Sequence, residues 1–518
     1  MLPSKNENTF PALLEFCLKQ YNGREVFRWT EGKEDRSVGF DRFIRQVRAL
    51  SFALAGQCPP GAHIALLGGN SYEWLLCWFA AVCAGCVAVP LDSTLPAETL
   101  LPLLRKCDAQ LLLFAPGFEA IAEQSGLPSR LMGDFAARAG EPEDSAGWPT
   151  QAQPDKLATI VFTSGTSGQL KGVMLSQWNI LSVSYAIVGA FQHLNGKNNL
   201  LVLPFHHIYG FLSVCIGLAD NCPLFLCDSA RHIARDMKKT HPVIVLAVPL
   251  MIEKIDEAMW QNARQQGRER QLRLLFALSR CLPSRKLRRK LFAPVIAATG
   301  GSLSTIAASG AALSPAIIRR FRSMDVNIHM SYGLTEAAAS TLLTSLAQYR
   351  PGSNGKAMPY SQVRIHAPGA QGVGEIQIKG DNVFIGYYND KAATSEAFTP
   401  DGWFKTGDLG RLDQKGHLFV TGRMKNLIIL SNGKNVSPEP LEAKLMALDF
   451  VKEALVYALD GEIAAELYLD PEQADAAARL PEALEALNRQ LPPFQRITKT
   501  ILRETEFSKT TSQKILRK

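Results

Sequence analysis

Short apolar runs alternate with amphipathic runs along most of this 518-residue chain, and that alternation restricts the possible folds sharply. HIALLGG at 63–69 reads as a strand, and SYEWLLCWFAAVCAG after it reads as a helix capped by Asn70 or Ser71. VAVPLD is the next strand, LPAETLLPLLRKC the next helix and AQLLLFA another strand. LLVLPF (200–205), CPLFLC (222–227) and VIVLAVP (243–249) continue the series. Strands separated by helices can return parallel to one another, so an α/β architecture with largely parallel sheets is expected. From about 355 the texture turns to β, with QVRIHA, GEIQIKG, GHLFVTG and NLIILSNG punctuated by Gly and Asn. After GRMKN (422–426) the rest of the chain reads as a small α+β domain. The expected division is a large domain over 1–423, made of parallel-rich α/β subdomains plus a β subdomain, and a small mobile domain over 424–518. Length alone suggests roughly three or four folding units.

Hydrophobic residues make up 47% and charged residues 20%, as in ordinary globular proteins. The net charge of +8 is mild, compatible with anionic substrates or a membrane surface, and no nucleic-acid partner is expected. The ten cysteines lie between Cys17 and Cys281 in mostly apolar surroundings and read as buried thiols. Cys83 and Cys86 form one C-x-x-C, but no second pair follows and AAVCAGCVAV reads as packed core. The start, MLPSKNENTF, lacks the apolar segment of a secretory signal, and no apolar stretch reaches the roughly 18 residues that span a bilayer. A cytoplasmic chain is therefore expected. Residues 264–290 hold ten Arg or Lys against one acid, Glu269, with Leu272, Leu275, Leu278 and Leu282 at helical spacing. That segment reads as the solvated basic face of a packed helix, or as a surface for an anionic membrane, a carrier protein or a cofactor phosphate.

The stretch TSGTSGQLKG (163–172) carries the chemistry. Glycine, hydroxyls and one lysine suit a loop wrapped around phosphate, yet the pattern departs from G-x-x-x-x-G-K-[ST], because Leu170 precedes Lys171 and Gly172 follows it. LATIVFT before it and GVMLS after it both read as strands, so this loop has no helix N-terminus to offer an anion. Its binding groups would be backbone amides freed by Gly165 and Gly168, the hydroxyls of Thr163, Ser164, Thr166 and Ser167, and the Lys171 ammonium.

This loop resembles the phosphate loop of the acyl-adenylate-forming superfamily, and further stretches follow in that family's order over nearly the whole chain. SYGLTEA (331–337) resembles the adenine and metal motif. By that likeness Tyr332, with Gly333 beside it, stacks on adenine, Thr335 meets the α-phosphate and Glu336 holds Mg²⁺. ASGAALS (308–314) resembles the loop that frames adenine at Gly310, Ala311 and Ala312. GWFKTGDLG (402–410) resembles the ribose motif, with Asp408 as acceptor for the ribose hydroxyls. TGRMKN implies Arg423 for ribose or phosphate and Lys425 at a hinge. FSKTTSQKILRK places Lys514 where the family has its catalytic lysine, although Ser508 and Gln513 stand where Pro and Gly are usual. LPFHHIYGF (203–211) resembles the motif at the acyl pocket, with His207 bordering the acyl and thiol channels.

The resemblance implies an ATP-dependent ligase that joins a carboxylic acid to AMP, releases pyrophosphate and passes the acyl group to a thiol. Several stretches, HPVIVLAVPLMIEKI among them, resemble the fatty-acid branch. No aspartate lies between Pro204 and Leu218 to pair with a substrate ammonium, which disfavours an amino acid. Coenzyme A is the favoured acceptor. The alternatives are the phosphopantetheine of an acyl carrier protein and, in another class, a protein that binds acyl groups or nucleotide without turnover. The expected location is the cytoplasm, with 264–290 as a candidate peripheral contact at the inner membrane face.

Overall fold

The computed structural model describes residues 8–138, 147–164, 170–279, 281–282, 284–345, 349–369, 371–430, 434–509 and 515–517. The chain divides into two compact units. One comprises 1–350, 354–362 and 378–404; the other comprises 351–353, 363–377 and 405–518. Each holds its own core.

In the first unit, a seven-stranded sheet runs in the order Gly386–Tyr387, Leu170–Ser176, Leu157–Ser164, Val87–Leu91, His63–Leu67, Ala109–Phe114, Ser129–Leu131. A nine-stranded sheet runs Lys356–Ala357, Leu342–Leu343, Asn327–Tyr332, Thr305–Ala308, Ile244–Ala247, Asn199–Leu201, Leu224–Leu226, Glu25–Glu31, Glu34–Gly39. The interiors of both are parallel, as the alternation predicts. Antiparallel pairs lie at both ends of the nine-stranded sheet and at the Gly386–Tyr387 end of the seven-stranded one, whose Ser129–Leu131 edge stays parallel.

Helix Tyr72–Cys83 begins at Ser71, whose hydroxyl accepts the Trp74 amide, and buries nearly every residue on all sides. Its Trp78 ring meets Phe211 at 3.9 Å and Phe10 at 4.9 Å between centroids. Cys83 and Cys86 are buried and unbridged within this core, so their C-x-x-C is packing. Two cysteines depart from the expectation: Cys58 is half-buried and Cys281 exposed.

Among the described residues no helix is long and apolar enough to cross a membrane. The expected strand at 200–205 shrinks to Asn199–Leu201, since Asn70 clamps the following turn by donating to the Leu203 carbonyl at 2.8 Å and accepting from the Phe205 amide at 2.9 Å. Of the described residues of NLIILSNG, Ile428–Ile429 form a strand, paired with Asn435–Val436.

The second unit carries most of a four-stranded sheet ordered Ser361–His366, Gly374–Gly380, Phe404–Leu412, Leu418–Arg423 and a three-stranded sheet ordered Val451–Leu459, Glu462–Leu469, Ile497–Arg503. Helices Glu439–Leu445 and Ala476–Arg489 complete a core around Leu441, Leu445, Val456, Leu467 and Leu480. The α+β texture expected of the chain's end is thus present.

Candidate nucleotide and acyl site

In parallel sheets, ligands gather where the strands' carboxyl ends open into loops. Strands Asn327–Tyr332, Thr305–Ala308, Ile244–Ala247 and Asn199–Leu201 are consecutive parallel neighbours. Their carboxyl ends therefore bring residues 332–336, 309–312 and 202–207 to one edge. Tyr209, in the helix that follows 202–207, donates its hydroxyl to the carbonyl of Ala307, in the strand that precedes 309–312, at 2.9 Å. Gly310, Ala311 and Ala312 are exposed there, and Gly310 has φ +96, a conformation that glycine adopts freely.

Tyr332 is mostly buried at 8% exposure, and the 3₁₀ turn Thr335–Ala337 follows it. Gly333 is required by close approach, because a Cβ there would lie 2.3 Å from the Ala339 carbonyl oxygen. Ala338 and Ala339 both take left-handed backbone angles, φ 47 and 72, so the chain reverses tightly just after Glu336. Such conformations cost L-residues free energy and persist where surrounding packing enforces them.

Thr163 and Lys171 face each other in the antiparallel hairpin formed by Leu157–Ser164 and Leu170–Ser176, which makes the expected strand-to-strand arrangement real. Gly165, Thr166, Ser167 and Gly168 lie outside the described residues, as does the Ser164 side chain. The Lys171 ammonium stands 4.8 Å from the Tyr387 ring centroid. Tyr387 in turn donates its hydroxyl to Glu336 Oε1 at 3.0 Å. Strand Gly386–Tyr387 pairs with Leu170–Ser176, and the Phe384 amide donates to the Glu336 carbonyl at 2.8 Å. One tyrosine thus joins the hairpin lysine to the acid. Burial, then the Glu336 charge, pushes the Tyr387 phenol well above its ordinary range, so it remains a neutral donor.

The carboxyl end of Val87–Leu91 supplies Asp92, which accepts from the Thr94 amide at 2.9 Å and the Thr94 hydroxyl at 2.7 Å. Asp92 Oδ1 lies 3.6 Å from His206 Nε2, and the His206 and His207 rings are 4.3 Å apart. Burial, then the neighbouring His207, lowers His206 to about 4 against the opposing pull of Asp92. Burial lowers His207 as well, again opposed by Asp92, so both imidazoles are neutral near pH 7. The stretch 204–218 contains no aspartate, yet Asp92 brings a carboxylate to it from far earlier in the chain. That carboxylate already serves Thr94 and faces His206.

In the second unit, Asp408 and Arg423 are register partners, with Arg423 Nε donating to Asp408 Oδ1 at 2.8 Å. The Asp408 amide donates to Thr406 Oγ1 at 3.0 Å, and Thr406 donates to the Ile376 carbonyl at 2.7 Å. Lys425 sits in the turn Met424–Asn426, where burial and then the Arg423 charge lower its ammonium. Lys514 lies outside the described residues. Its flanks are held: the Phe507 amide donates to Glu453 at 2.8 Å, the Leu516 amide donates to the Ser508 carbonyl at 2.9 Å, and Arg517 donates to Glu442 Oε2 at 2.5 Å.

Tyr387, Asp92, His206 and Asn70 were invisible in the sequence as site residues. Tyr387 reaches Glu336 across 51 positions, and no local pattern marks such a pairing. Among the described residues, three metal-capable side chains converge at Cys227, Asp228 and Asp236, but His232 holds Asp228 and Arg235 holds Asp236.

Together, a glycine- and hydroxyl-rich hairpin with a lysine, an oriented acid and loops at parallel strand ends define a nucleotide-binding α/β protein. The chain belongs to the AMP-binding enzyme family: that family's model matches residues 14–388, and the model of the AMP-binding enzyme C-terminal domain matches residues 425–518. It is 29% identical over 472 residues to the long-chain-fatty-acid–CoA ligase FadD15 of Mycobacterium bovis, covering 82% of this chain and 76% of the relative. It is 30% identical over 490 residues to the human long-chain-fatty-acid–CoA ligase ACSBG1, covering 83% and 67%. Its fold matches the o-succinylbenzoate-CoA synthetase MenE of Bacillus subtilis in complex with an acyl-adenylate intermediate, with a TM-score of 0.80, 23% identity, and coverage of 98% and 97%. The mixed α/β class with a larger N-terminal and a smaller C-terminal part is that of these adenylate-forming enzymes.

Proposed function

We propose that the chain is an AMP-forming acid–thiol ligase that activates a fatty acid as its acyl adenylate and transfers the acyl group to coenzyme A. The observation that carries this reading is the Lys171–Tyr387–Glu336 chain, in which one tyrosine links the cation of the hairpin to the carboxylate. The names of the long-chain relatives support the fatty acid and coenzyme A, and the neutral, buried imidazoles of His206 and His207 agree with an uncharged acyl chain.

Adenylation brings a carboxylate against the α-phosphate of ATP, and the two anions repel. Lys171 stabilises charge that builds on the departing pyrophosphate, and Lys514 bridges the carboxylate and the α-phosphate. Glu336 fits a magnesium ion, because its carboxylate is a hard oxygen donor oriented by the Tyr387 hydroxyl, and Thr335 meets the α-phosphate. When bound, the ion neutralises charge on phosphate oxygens. Asp408, steadied by Arg423, accepts hydrogen bonds from the ribose hydroxyls. Tyr332, Gly333 and the Gly310–Ala312 backbone border the adenine. Neutral His207 borders the thiol path, and Lys425 serves as the hinge before a C-terminal domain over 424–518.

The test is an acid panel of graded chain length run in parallel with coenzyme A and with a carrier protein bearing phosphopantetheine. The reading expects acyl-CoA from fatty acids. Acyl carrier protein as the sole product would reassign the acceptor, and absence of any thioester would refute the ligase.

A further inference from the structure

The basic stretch 264–290 takes no part in the site described above. It spans the end of helix Pro249–Gln265, helix Glu269–Ser279 and helix Arg285–Leu291, each packed on the next. The inner face of the middle helix is fully accounted for. Leu272, Phe276 and Ser279 are buried, and Phe276 meets Phe292 at 4.8 Å and Trp260 at 5.8 Å.

The outer face is not what a solvated helix needs. Leu274 is 59% exposed, Leu278 49% and Leu287, on the following helix, 51%. Leu274 and Leu278 are one turn apart with Ala277 beside them, so they form an apolar stripe pointing away from the core. The row of leucines that the spacing suggested therefore splits. Leu272 faces inward, whereas Leu278, six positions later, has rotated to the solvent side.

Exposed cations surround the stripe: Arg270 and Arg273 on the same helix, and Arg285, Lys286 and Lys290 on the next. Glu269 holds Arg273 at 2.7 Å, and Asp325 lies 3.5 Å from Arg285. No carboxylate of the described residues pairs with Arg270, Lys286 or Lys290.

We infer that this face is a docking surface for an anionic lipid leaflet. Leucines projecting among long cationic side chains suit an interface in which apolar tips enter the acyl region while ammonium and guanidinium groups stay at the headgroup phosphates. A second copy of the chain would set like charges against each other. A folded acidic protein would need fixed carboxylates registered on flexible Arg and Lys, whereas lipid headgroups rearrange to meet them. The inference stands independently of which acid the site activates.

The test is co-sedimentation of the full chain with vesicles of phosphatidylcholine alone and with vesicles of phosphatidylcholine mixed equally with phosphatidylglycerol. Binding to the mixed vesicles is expected to exceed binding to the neutral ones by about tenfold or more and to fall steeply with added salt. The variant R270E/K286E/K290E should lose that preference, and L274S/L278S should weaken binding while keeping its salt dependence. Unchanged thermal melting shows that both variants fold. Failure to bind either vesicle, equal binding to both, or wild-type binding by both variants overturns the inference and leaves the face to an acidic protein partner or to solvent.

Discussion

Two β-hairpins hold the candidate nucleotide groups, and they use their cations in opposite ways. In the first unit, Lys171 sits opposite Thr163 and lies over the Tyr387 ring, without a carboxylate partner among the described residues. In the second, Arg423 sits opposite Asp408 and is bound to it directly. The charge of Lys171 therefore remains available to an incoming phosphate. Much of the charge of Arg423 goes into fixing a carboxylate for a neutral partner such as ribose. The hairpins are alike as backbone, and in the proposed function this difference in side-chain pairing is used, with one serving phosphate charge and the other hydroxyl recognition.

Substitutions can break this contrast. The largest effect is expected from Lys514→Ala, outside both hairpins. Adenylation should fall by about a thousandfold while thioester formation from supplied acyl adenylate is largely spared, measured as separate half-reactions. Equal loss of both would contradict its role. Lys171→Met keeps the aliphatic stem and removes the charge; adenylation should fall about a hundredfold, chiefly in kcat. Asp408→Asn should instead raise KM for ATP by about tenfold and leave the rate at saturation closer to wild type. If both hairpin variants changed kcat and KM alike, the division between them would fail. Tyr387→Phe retains the ring under Lys171 and deletes the hydrogen bond to Glu336. An increase of about tenfold in the magnesium concentration needed for half-maximal rate is expected, since hydrogen bonds to charged groups contribute about 1.5–3 kcal/mol.

The smallest expected effect concerns acid stability. His206 titrates at about 4 when folded against 6.5 ordinarily, so between these values the unfolded chain binds the extra proton. Stability should thus fall as pH drops from 6.5 toward 4, with His207 contributing in the same direction. Melting curves of His206→Gln should show a shallower acid limb; an identical limb would remove His206 as its source.

The contrast between the hairpins also explains what was legible in the sequence. Alternating apolar and amphipathic runs foretold parallel sheets because each run specifies its own element. The hairpin at 157–176 was legible because apolar strands flank a run of glycine and hydroxyls. Asp408 and Arg423 fall in motif-bearing stretches on adjacent strands. Tyr387, Asp92 and Asn70 act through contacts between distant segments, which no window of sequence displays. Gly333 was expected at the adenine, and its close approach to Ala339 supplies a separate packing reason for glycine. The exposed leucines at 274 and 278 were likewise hidden, because helical spacing alone does not say which leucine faces inward.

The most direct test of the central claim is exchange of labelled pyrophosphate into ATP without any thiol. Exchange should depend on magnesium, require a fatty acid and proceed without coenzyme A, because the acyl adenylate forms before the acceptor enters. If no acid in a broad panel supports exchange, or if exchange appears only once coenzyme A is added, the account of this site is contradicted.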